Sequence, residues 1–146
     1  MTEIAWLRMH DDARVPTQAH ANDAGFDLYA TEATTLAPGQ REAVGCGFGI
    51  ALPDGYAALV LPRSGLALEA GVTVLNAPGL IDAGYRGEIK VILINHDPSA
   101  THAIAIGDRI AQLVITALPA VTFTERDDLP ESTRGTGGFG STGQSA

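Results

Sequence analysis

The sequence predicts an all-β fold, a jelly-roll or β-sandwich-like barrel with one short helix and a flexible C-terminal arm. Short runs of β-branched and aliphatic residues alternate with turn signals about every ten residues, a spacing typical of such folds. The 17 glycines and 8 prolines suit many turns. Hydrophobic residues form 45% of the chain and aromatic residues only 5%, which predicts an aliphatic core. A chain of 146 residues is expected to form one domain, here 1–130, followed by a glycine-rich arm over 131–146.

The first half of the chain contains five strand-like runs. In the second run, Asp27 lies on the parity opposite to its apolar neighbours. In the fourth run, Gly45, Gly47 and Gly49 leave one face without side chains, which permits close approach by another backbone or a bulge. The five strands are predicted at Ile4–Met9, Asp23–Ala30, Thr34–Leu36, Glu42–Leu52 and Tyr56–Leu61.

The second half contains the only good helix candidate. This is Leu66–Ala70, which Gly71 is expected to end. The remaining runs are rich in valine, isoleucine and leucine, as strands are. They are predicted at Val72–Leu75, Ile89–Ile94, Ala103–Ile106, Arg109–Leu118 and Val121–Thr124.

The net charge of −8, from 17 acidic and 9 basic residues, limits the partners to be expected. A strongly acidic chain repels nucleic acid and anionic membranes, so neither is predicted as a partner. An anionic ligand would need a local cluster of donors. All the basic residues except Lys90 are arginines, which bind phosphate or carboxylate groups bidentately.

Cysteine content and hydropathy bear on the compartment and on redox chemistry. The lone Cys46 permits no intramolecular disulfide, and we expect a small buried core residue there instead of a reactive thiol. Polar residues interrupt the first ten positions, so we expect no secretory signal. No apolar run approaches the length of a membrane span. These observations predict a cytoplasmic protein.

The segment Asn76–Lys90 (NAPGLIDAGYRGEIK) concentrates polar groups in a short stretch. Its prolines and glycines favour a turn or hairpin over a helix. The strand-like run that follows would hold this loop on a rigid scaffold, where binding sites are commonly built. The alternative is a solvated hairpin whose charges have no function.

Two further sites could bind an anion. In Pro62–Gly65, Arg63 offers a fork of donors, Ser64 a hydroxyl, and Gly65 close backbone approach, which together suit phosphate oxygens. The alternative is a capped helix with a surface arginine. Gln112 shares strand parity with apolar residues, so its carboxamide needs a hydrogen-bond partner, which is either a ligand or the core.

The tail Arg134–Gly143 resembles glycine-rich phosphate-binding loops in composition, but it lacks the ending of a P-loop. Phe139 among these glycines could stack on a flat ligand. The alternative is a disordered tail. The four histidines are expected at the surface, and their spacing matches no zinc site.

Taken together, these segments resemble the trimeric deoxyuridine triphosphate nucleotidohydrolases, the dUTPases. Five motifs occur in the family's order over residues 24–143. Departures from the usual pattern are mild, at Phe26 and Leu80. The motifs are AGFDLYA (Ala24–Ala30), PRSGLA (Pro62–Ala67), GLIDAGYRGE (Gly79–Glu88), RIAQL (Arg109–Leu113) and RGTGGFGSTG (Arg134–Gly143).

The resemblance implies a jelly-roll homotrimer with three active sites at subunit interfaces. Each site would take motifs from two subunits and be closed by the arm of the third. The implied reaction is dUTP plus water giving dUMP and pyrophosphate, by water attack on the α-phosphorus. This reaction would limit uracil incorporation into DNA and supply dUMP for thymidylate synthesis. Mg²⁺ is the implied cofactor, bound mostly by triphosphate oxygens and waters, with Asp27 contacting it through water.

The resemblance also implies roles for single residues. Asp82 would act as general base or would orient the attacking water. Asn76 and the hairpin backbone up to Tyr85 would recognise uracil, Tyr85 would pack on the deoxyribose, and Phe139 would stack on the base. The phosphates would be held by Arg63, Ser64, Gln112 and Arg134. The remaining implied substrate-binding residues are Gly65, Gly79, Ile81, Lys90, Gly140 and Ser141.

Two other readings share this fold. A dCTP deaminase would remove the 4-amino group of cytosine, whereas the intact Tyr85 hairpin and the full arm favour hydrolysis. A non-catalytic trimeric binding or regulatory module would be favoured by loss of Asp82 or of the arm, and both are present.

Overall fold

The computed structural model describes residues 2–138, and these residues fold as the all-β class predicted. They form eleven strands and a single short helix, α1 (Ser64–Ala70), which has no buried residue. The strands are β1 (Ala5–Arg8), β2 (Phe26–Tyr29), β3 (Thr34–Leu36), β4 (Arg41–Gly45), β5 (Phe48–Ala51), β6 (Tyr56–Leu61), β7 (Val72–Val74), β8 (Gly79–Asp82), β9 (Lys90–Asn95), β10 (His102–Ile104) and β11 (Arg109–Ala117).

The strands form four antiparallel sheets, which do not close into a barrel within residues 2–138. The largest has the order β2-β11-β6-β8, and a second has the order β4-β9-β7. Two two-stranded sheets, β1-β5 and β10-β3, each pair strands that are distant in sequence. The core between them is aliphatic, as composition predicts, and Phe48 is the only aromatic side chain among the buried residues described.

The prediction of one continuous strand over Glu42–Leu52 was wrong. The chain forms β4 and β5 instead, and they belong to different sheets. Gly47 separates them with φ 70°, a left-handed conformation that breaks strand geometry and that glycine adopts without strain. The carbonyl of Gly47 then accepts from the backbone N–H of Met9, so the break is held against the first strand.

The helix begins two residues earlier than the predicted Leu66–Ala70. Ala67 N–H donates to the Arg63 carbonyl at 3.0 Å, which places Ser64 and Gly65 in the first turn and not in a preceding loop. Gly71 ends the helix as predicted, with φ 64° and its N–H donating to the Ala67 carbonyl. This is the only helix in residues 2–138, and it is far too short to traverse a bilayer.

The segment after β11 does not form the strand predicted at Val121–Thr124. Leu118 N–H donates to the Gly55 carbonyl, and beyond that point the side chains project into solvent. Val121 is 72% exposed, Phe123 97% and Leu129 85%. A strand needs a pairing partner, and no strand of residues 2–138 pairs with this segment.

One buried polar side chain fastens the end of β9 to its surroundings. Asn95 is completely buried, and its side-chain amide donates to the carbonyls of Leu36 and Ala100, each at 2.8 Å. Its Oδ1 accepts from the backbone N–H of Asp97 at 2.8 Å. One side chain therefore satisfies three backbone groups.

We expect Asn95→Ala to lower the free energy of unfolding by about 2–4 kcal/mol, because it leaves buried backbone groups without partners. Urea denaturation monitored by circular dichroism measures this change. Asn22→Ala, at an exposed loop position, is the control and should change stability by less than about 0.5 kcal/mol. Equal stability of the two variants would contradict the role assigned to Asn95.

Candidate active site

The register of the large sheet brings two predicted site residues into one row. Gln112 on β11 is opposite Asp27 on β2 and opposite Leu61 on β6. Arg63 lies two residues after the end of β6, so it is at the same end of the sheet. A pocket of about 360 Å³ opens there and is lined by Ala19, Asp23, Ala24, Gly25, Asp27, Arg63, Arg109 and Gln112.

Asp27 lies between two arginines at the floor of this pocket. Its Oδ1 is 3.4 Å from Arg63 Nε, an ion pair that is not aligned as a hydrogen bond. Its Oδ2 accepts from Arg109 Nη1 at 3.2 Å. Arg63 Nη1 also donates to the Arg109 carbonyl at 3.0 Å. The Asp27 side chain is 12% exposed and that of Arg63 is 25% exposed, so the guanidinium is held in place while part of it faces the pocket.

Gln112 adds a carboxamide to the polar wall of this pocket. It is half-buried, and a methyl group on Gly25 would lie 2.7 Å from its Oε1, so glycine leaves room for the carboxamide. The pocket therefore presents a fixed guanidinium and a carboxamide at one edge of the sheet, a combination suited to phosphate oxygens. The predicted residues Ser64 and Gly65 follow Arg63 and are exposed, but they do not line the pocket.

A second pocket, of about 290 Å³, is lined by four predicted residues, Ile81, Asp82, Tyr85 and Lys90. Asp82 ends β8, and its carbonyl accepts from the Tyr85 N–H at 3.0 Å, which forms the turn between them. Lys90 Nζ lies 3.5 Å from Glu88 Oε2 at the same pocket. The pocket is lined by Ala43, Leu80, Ile81, Asp82, Tyr85, Glu88, Ile89, Lys90 and Ile92.

The strand β8 was not predicted and lies inside the segment interpreted as a turn or hairpin. Gly79 and Ile81 are buried in it, whereas Leu80 and Asp82 are exposed. Asn76 precedes the strand and packs against Gly79, where an added methyl group would lie 3.4 Å from Asn76 Nδ2. The segment therefore presents Asn76 at one end of β8 and Asp82 at the other.

The two pockets lie apart in a single chain. Asp82 is opposite Ala57 on β6, whereas Gln112 is opposite Leu61 on the same strand. Four residues of strand at about 3.3 Å each separate these levels by about 13 Å. A general base must reach its proton directly or through one water. Asp82 therefore cannot act on a phosphate held beside Arg63 of its own chain.

The start of the arm lies outside both pockets. Arg134 is exposed, and its Nε donates to the Gly137 carbonyl at 2.9 Å within a local turn. The predicted residues Phe139, Gly140 and Ser141 lie outside the described residues 2–138.

The acidic residues of the first pocket are few. No group of three or more His, Cys, Asp or Glu side chains in residues 2–138 is arranged to hold a metal ion. Asp23 and Asp27 are the acidic residues that line the pocket, and both oxygens of Asp27 already face arginines. This donor set fits Mg²⁺, because Mg²⁺ commonly keeps several waters and takes few protein ligands.

Sequence reasoning missed two structural partners of the site. Arg109 was not among the predicted site residues, yet it lines the pocket and holds Asp27. Glu88 accepts from the Gly47 N–H at 3.0 Å and so anchors the segment that carries Tyr85. Both belong to predicted motifs, but only three-dimensional pairing reveals which residue each one contacts.

Comparison with known proteins gives consistent matches. The sequence model of the dUTPase family matches residues 11–143. A deoxyuridine 5'-triphosphate nucleotidohydrolase of Leifsonia xyli is 57% identical over 89% of this chain and 86% of its own. One of Corynebacterium glutamicum is 52% identical over the full length of both chains. A dUTPase of Staphylococcus bacteriophage 80alpha, solved with dUpNHpp, has a TM-score of 0.90 at 25% identity, covering 98% of this chain and 99% of its own.

Cys46 lies close to Glu88 but takes no part in either pocket. It is 1% exposed, as expected of a core residue. Burial, and secondarily the negative charge of Glu88, raise the pKa of the thiol from 9.0 to about 12. The folded state disfavours the thiolate, whereas the unfolded chain ionises near pH 9. The protein therefore keeps its full stability with respect to this group below pH 9 and loses stability as the pH rises from 9 toward 12.

We expect Cys46 to resist alkylation by iodoacetamide at pH 8 in the folded protein, because the nucleophilic thiolate is scarce and shielded. Labelling should proceed readily in denaturing urea, and mass spectrometry of intact protein measures both. Rapid stoichiometric labelling of the folded protein would contradict this account.

Proposed function

The chain belongs to the dUTPase family, and from this premise we propose that it hydrolyses dUTP to dUMP and pyrophosphate by water attack on the α-phosphorus. The family match carries the proposal, because residues 11–143 include both pockets and the start of the arm. The activity limits uracil incorporation into DNA and supplies dUMP for thymidylate synthesis. We place the enzyme in the cytoplasm, where it acts on free nucleotides.

The first pocket binds the triphosphate. Arg63, Ser64 and Gln112 contact phosphate oxygens, with Gly65 allowing close backbone approach. Asp27 holds the Arg63 guanidinium before substrate arrives, so little reorganisation is needed when negative charge develops. Arg134 from an arm contacts the γ-phosphate. This is catalysis by positioning and charge stabilisation, as in other phosphoryl chemistry.

The second pocket selects the nucleoside and activates water. Asn76 and the backbone of Gly79 and Ile81 read the uracil edge, and a fixed donor facing the 4-position rejects cytosine. Tyr85 packs on the deoxyribose and excludes a ribose 2'-hydroxyl. Asp82 accepts a proton from the attacking water or orients it.

Mg²⁺ supplies charge neutralisation on the triphosphate when it is bound. This chain's contribution is the acidic pair Asp23 and Asp27 at the pocket wall. We propose that Asp27 contacts the ion through a water, since both its oxygens already face arginines. A dUTPase of phage phi11 is described with a structural Mg(II) ion, and its 22% identity to this chain supports only the shared fold.

We propose a homotrimer in which each active site combines two chains and receives the arm of the third. The separation of Asp82 from Arg63 within one chain supports this proposal, because the reaction needs both beside one phosphate. The exposed apolar side chains after β11 also support it. Val121, Phe123 and Leu129 are each largely exposed to solvent, and packing on a neighbouring chain would bury them.

The arm over 131–146 closes the site in this proposal. Phe139 stacks on the uracil and contributes about 1–3 kcal/mol if it behaves as aromatic side chains do on single-stranded bases. Gly140 and Ser141 follow it and approach the phosphates, and Lys90 contributes positive charge beside Asp82.

A pyrophosphate-release assay with dUTP, UTP, dCTP and dTTP side by side tests the function. We expect dUTP to be hydrolysed with a specificity constant at least about a hundredfold above the others, because buried polar groups and shape reject each analogue. Ammonia release from dCTP would instead indicate a deaminase. Binding of dUTP without turnover would indicate a regulatory module.

We expect Asp82→Asn to retain nucleotide binding and to lower kcat by about 10²–10⁴, the range that general acid–base groups contribute. The asparagine keeps the size of the side chain but cannot accept a proton from water. Steady-state kinetics with a nucleotide-binding titration measure both quantities. Near-normal turnover would contradict the assigned role.

Truncation after Ser132 should lower kcat/KM for dUTP sharply, by about a hundredfold, because it removes Arg134 and Phe139 from the site. Light scattering should show an unchanged oligomeric state, since the segment before Ser132 remains. An unchanged rate would mean that the arm has no part in catalysis.

A further inference from the structure

The side chain of Tyr85 rests directly on the backbone of Gly87. A methyl group on Gly87 would lie 2.6 Å from Tyr85 Cζ and 2.9 Å from Tyr85 Cε2. Real Cβ atoms do not approach other atoms so closely, so the ring can occupy this position only because residue 87 has no side chain. The Tyr85 hydroxyl then donates to the Glu88 carbonyl at 2.9 Å, which fixes the far end of the ring.

The backbone beneath Tyr85 is itself supported by a second glycine. A methyl group on Gly49 would lie 3.2 Å from the Gly87 carbonyl oxygen and 2.8 Å from Met9 Cε. Gly49 on β5 therefore lets residue 87 come close, as the alternating glycines of this region suggest. The result is a stack of Gly49, Gly87 and the Tyr85 ring.

Hydrogen bonds fasten this stack to the core. Ile89 N–H donates to the Phe48 carbonyl at 2.8 Å, and Cys46 N–H donates to the Ile89 carbonyl at 2.9 Å. Glu88 Oε1 accepts from the Gly47 N–H at 3.0 Å. Ile89 and Phe48 are both buried, so the support under the ring is rigid although Tyr85 is itself 45% exposed.

We propose that Gly87 is a positioning residue for sugar selection, because it provides the surface that fixes the Tyr85 ring against the nucleotide. This inference rests on the proposed function and extends it to a residue that contacts no substrate. Gly87 has no positive φ, so an alanine there meets no backbone strain. The clash falls on a tyrosine ring that can swing toward solvent. We therefore expect the fold to survive the substitution while the ring is displaced.

The inference is tested with Gly87→Ala in the full-length chain. We expect the ratio of kcat/KM for dUTP to that for UTP to fall by about tenfold to a hundredfold, because a small displacement of a positioning group has effects of this size. The ratio should fall mainly because kcat/KM for UTP rises. Gly84→Ala is the matched control, since its added methyl group would meet nothing within 4 Å in the same turn.

A double-mutant cycle separates positioning from a general structural effect. Once Tyr85→Ala has removed the ring, adding Gly87→Ala should not change the dUTP-to-UTP ratio further. Tyr85→Phe keeps the ring but loses the hydrogen bond to the Glu88 carbonyl, and it should lower the ratio less than Gly87→Ala does. If Gly87→Ala fails to fold, the Tyr85→Phe variant tests the inference instead. An unchanged dUTP-to-UTP ratio in that variant would overturn it.

The outcomes distinguish this inference from the proposed function. A wild-type protein that hydrolyses dUTP no faster than UTP overturns the proposed function itself. A wild-type protein with strong preference for dUTP, together with an unchanged ratio and unchanged melting temperature in Gly87→Ala, overturns only the positioning role.

Discussion

The antiparallel register of β6 with its two neighbours fixes the distance between the two pockets. Along one edge of β6, Leu61 pairs with Gln112, and along the other edge, Ala57 pairs with Asp82. Regular hydrogen bonding fixes both levels, so neither loop motion nor side-chain rotation brings Asp82 to the pocket of Arg63 in the same chain. The separation divides the predicted site residues between two pockets. Under the proposed function, residues of two chains must therefore meet at one site.

Each pocket is kept in shape by contacts among its own residues. In the first pocket, Asp27 lies between Arg63 and Arg109, partly offsets their charges and orients them. In the second pocket, Gly87 and the hydroxyl of Tyr85 fix an aromatic ring that is only half-buried. Polar and glycine residues are thus used for placement, while the aliphatic core supplies rigidity.

Much of this arrangement could be predicted from the sequence, and the remainder has physical reasons for being hidden. Strand alternation correctly put Asp27 on the face opposite to Leu28, and the spacing of the strand-like runs correctly predicted an all-β fold. Gly71 ended the helix as its left-handed preference requires. The break at Gly47 was missed because the glycines at 45, 47 and 49 look alike in the sequence, and only Gly47 adopts the left-handed conformation that ends β4 before β5. The strand predicted at Val121–Thr124 has the right pattern but no partner within residues 2–138. The pairing of Arg109 with Asp27 joins positions 82 residues apart, which local pattern cannot reveal.

The most direct test of the shared site is complementation between two inactive chains. Asp82→Asn and Arg63→Ala proteins are each purified, then unfolded and refolded together at equal concentration, and dUTP hydrolysis is measured. If Asp82 and Arg63 act from different chains, random assembly of a cyclic trimer pairs the two intact halves in about a quarter of the sites. We expect activity of the mixture to return to about that fraction of the wild-type rate. Activity no greater than that of the separate variants, with mixed trimers confirmed by mass spectrometry, would contradict the shared site.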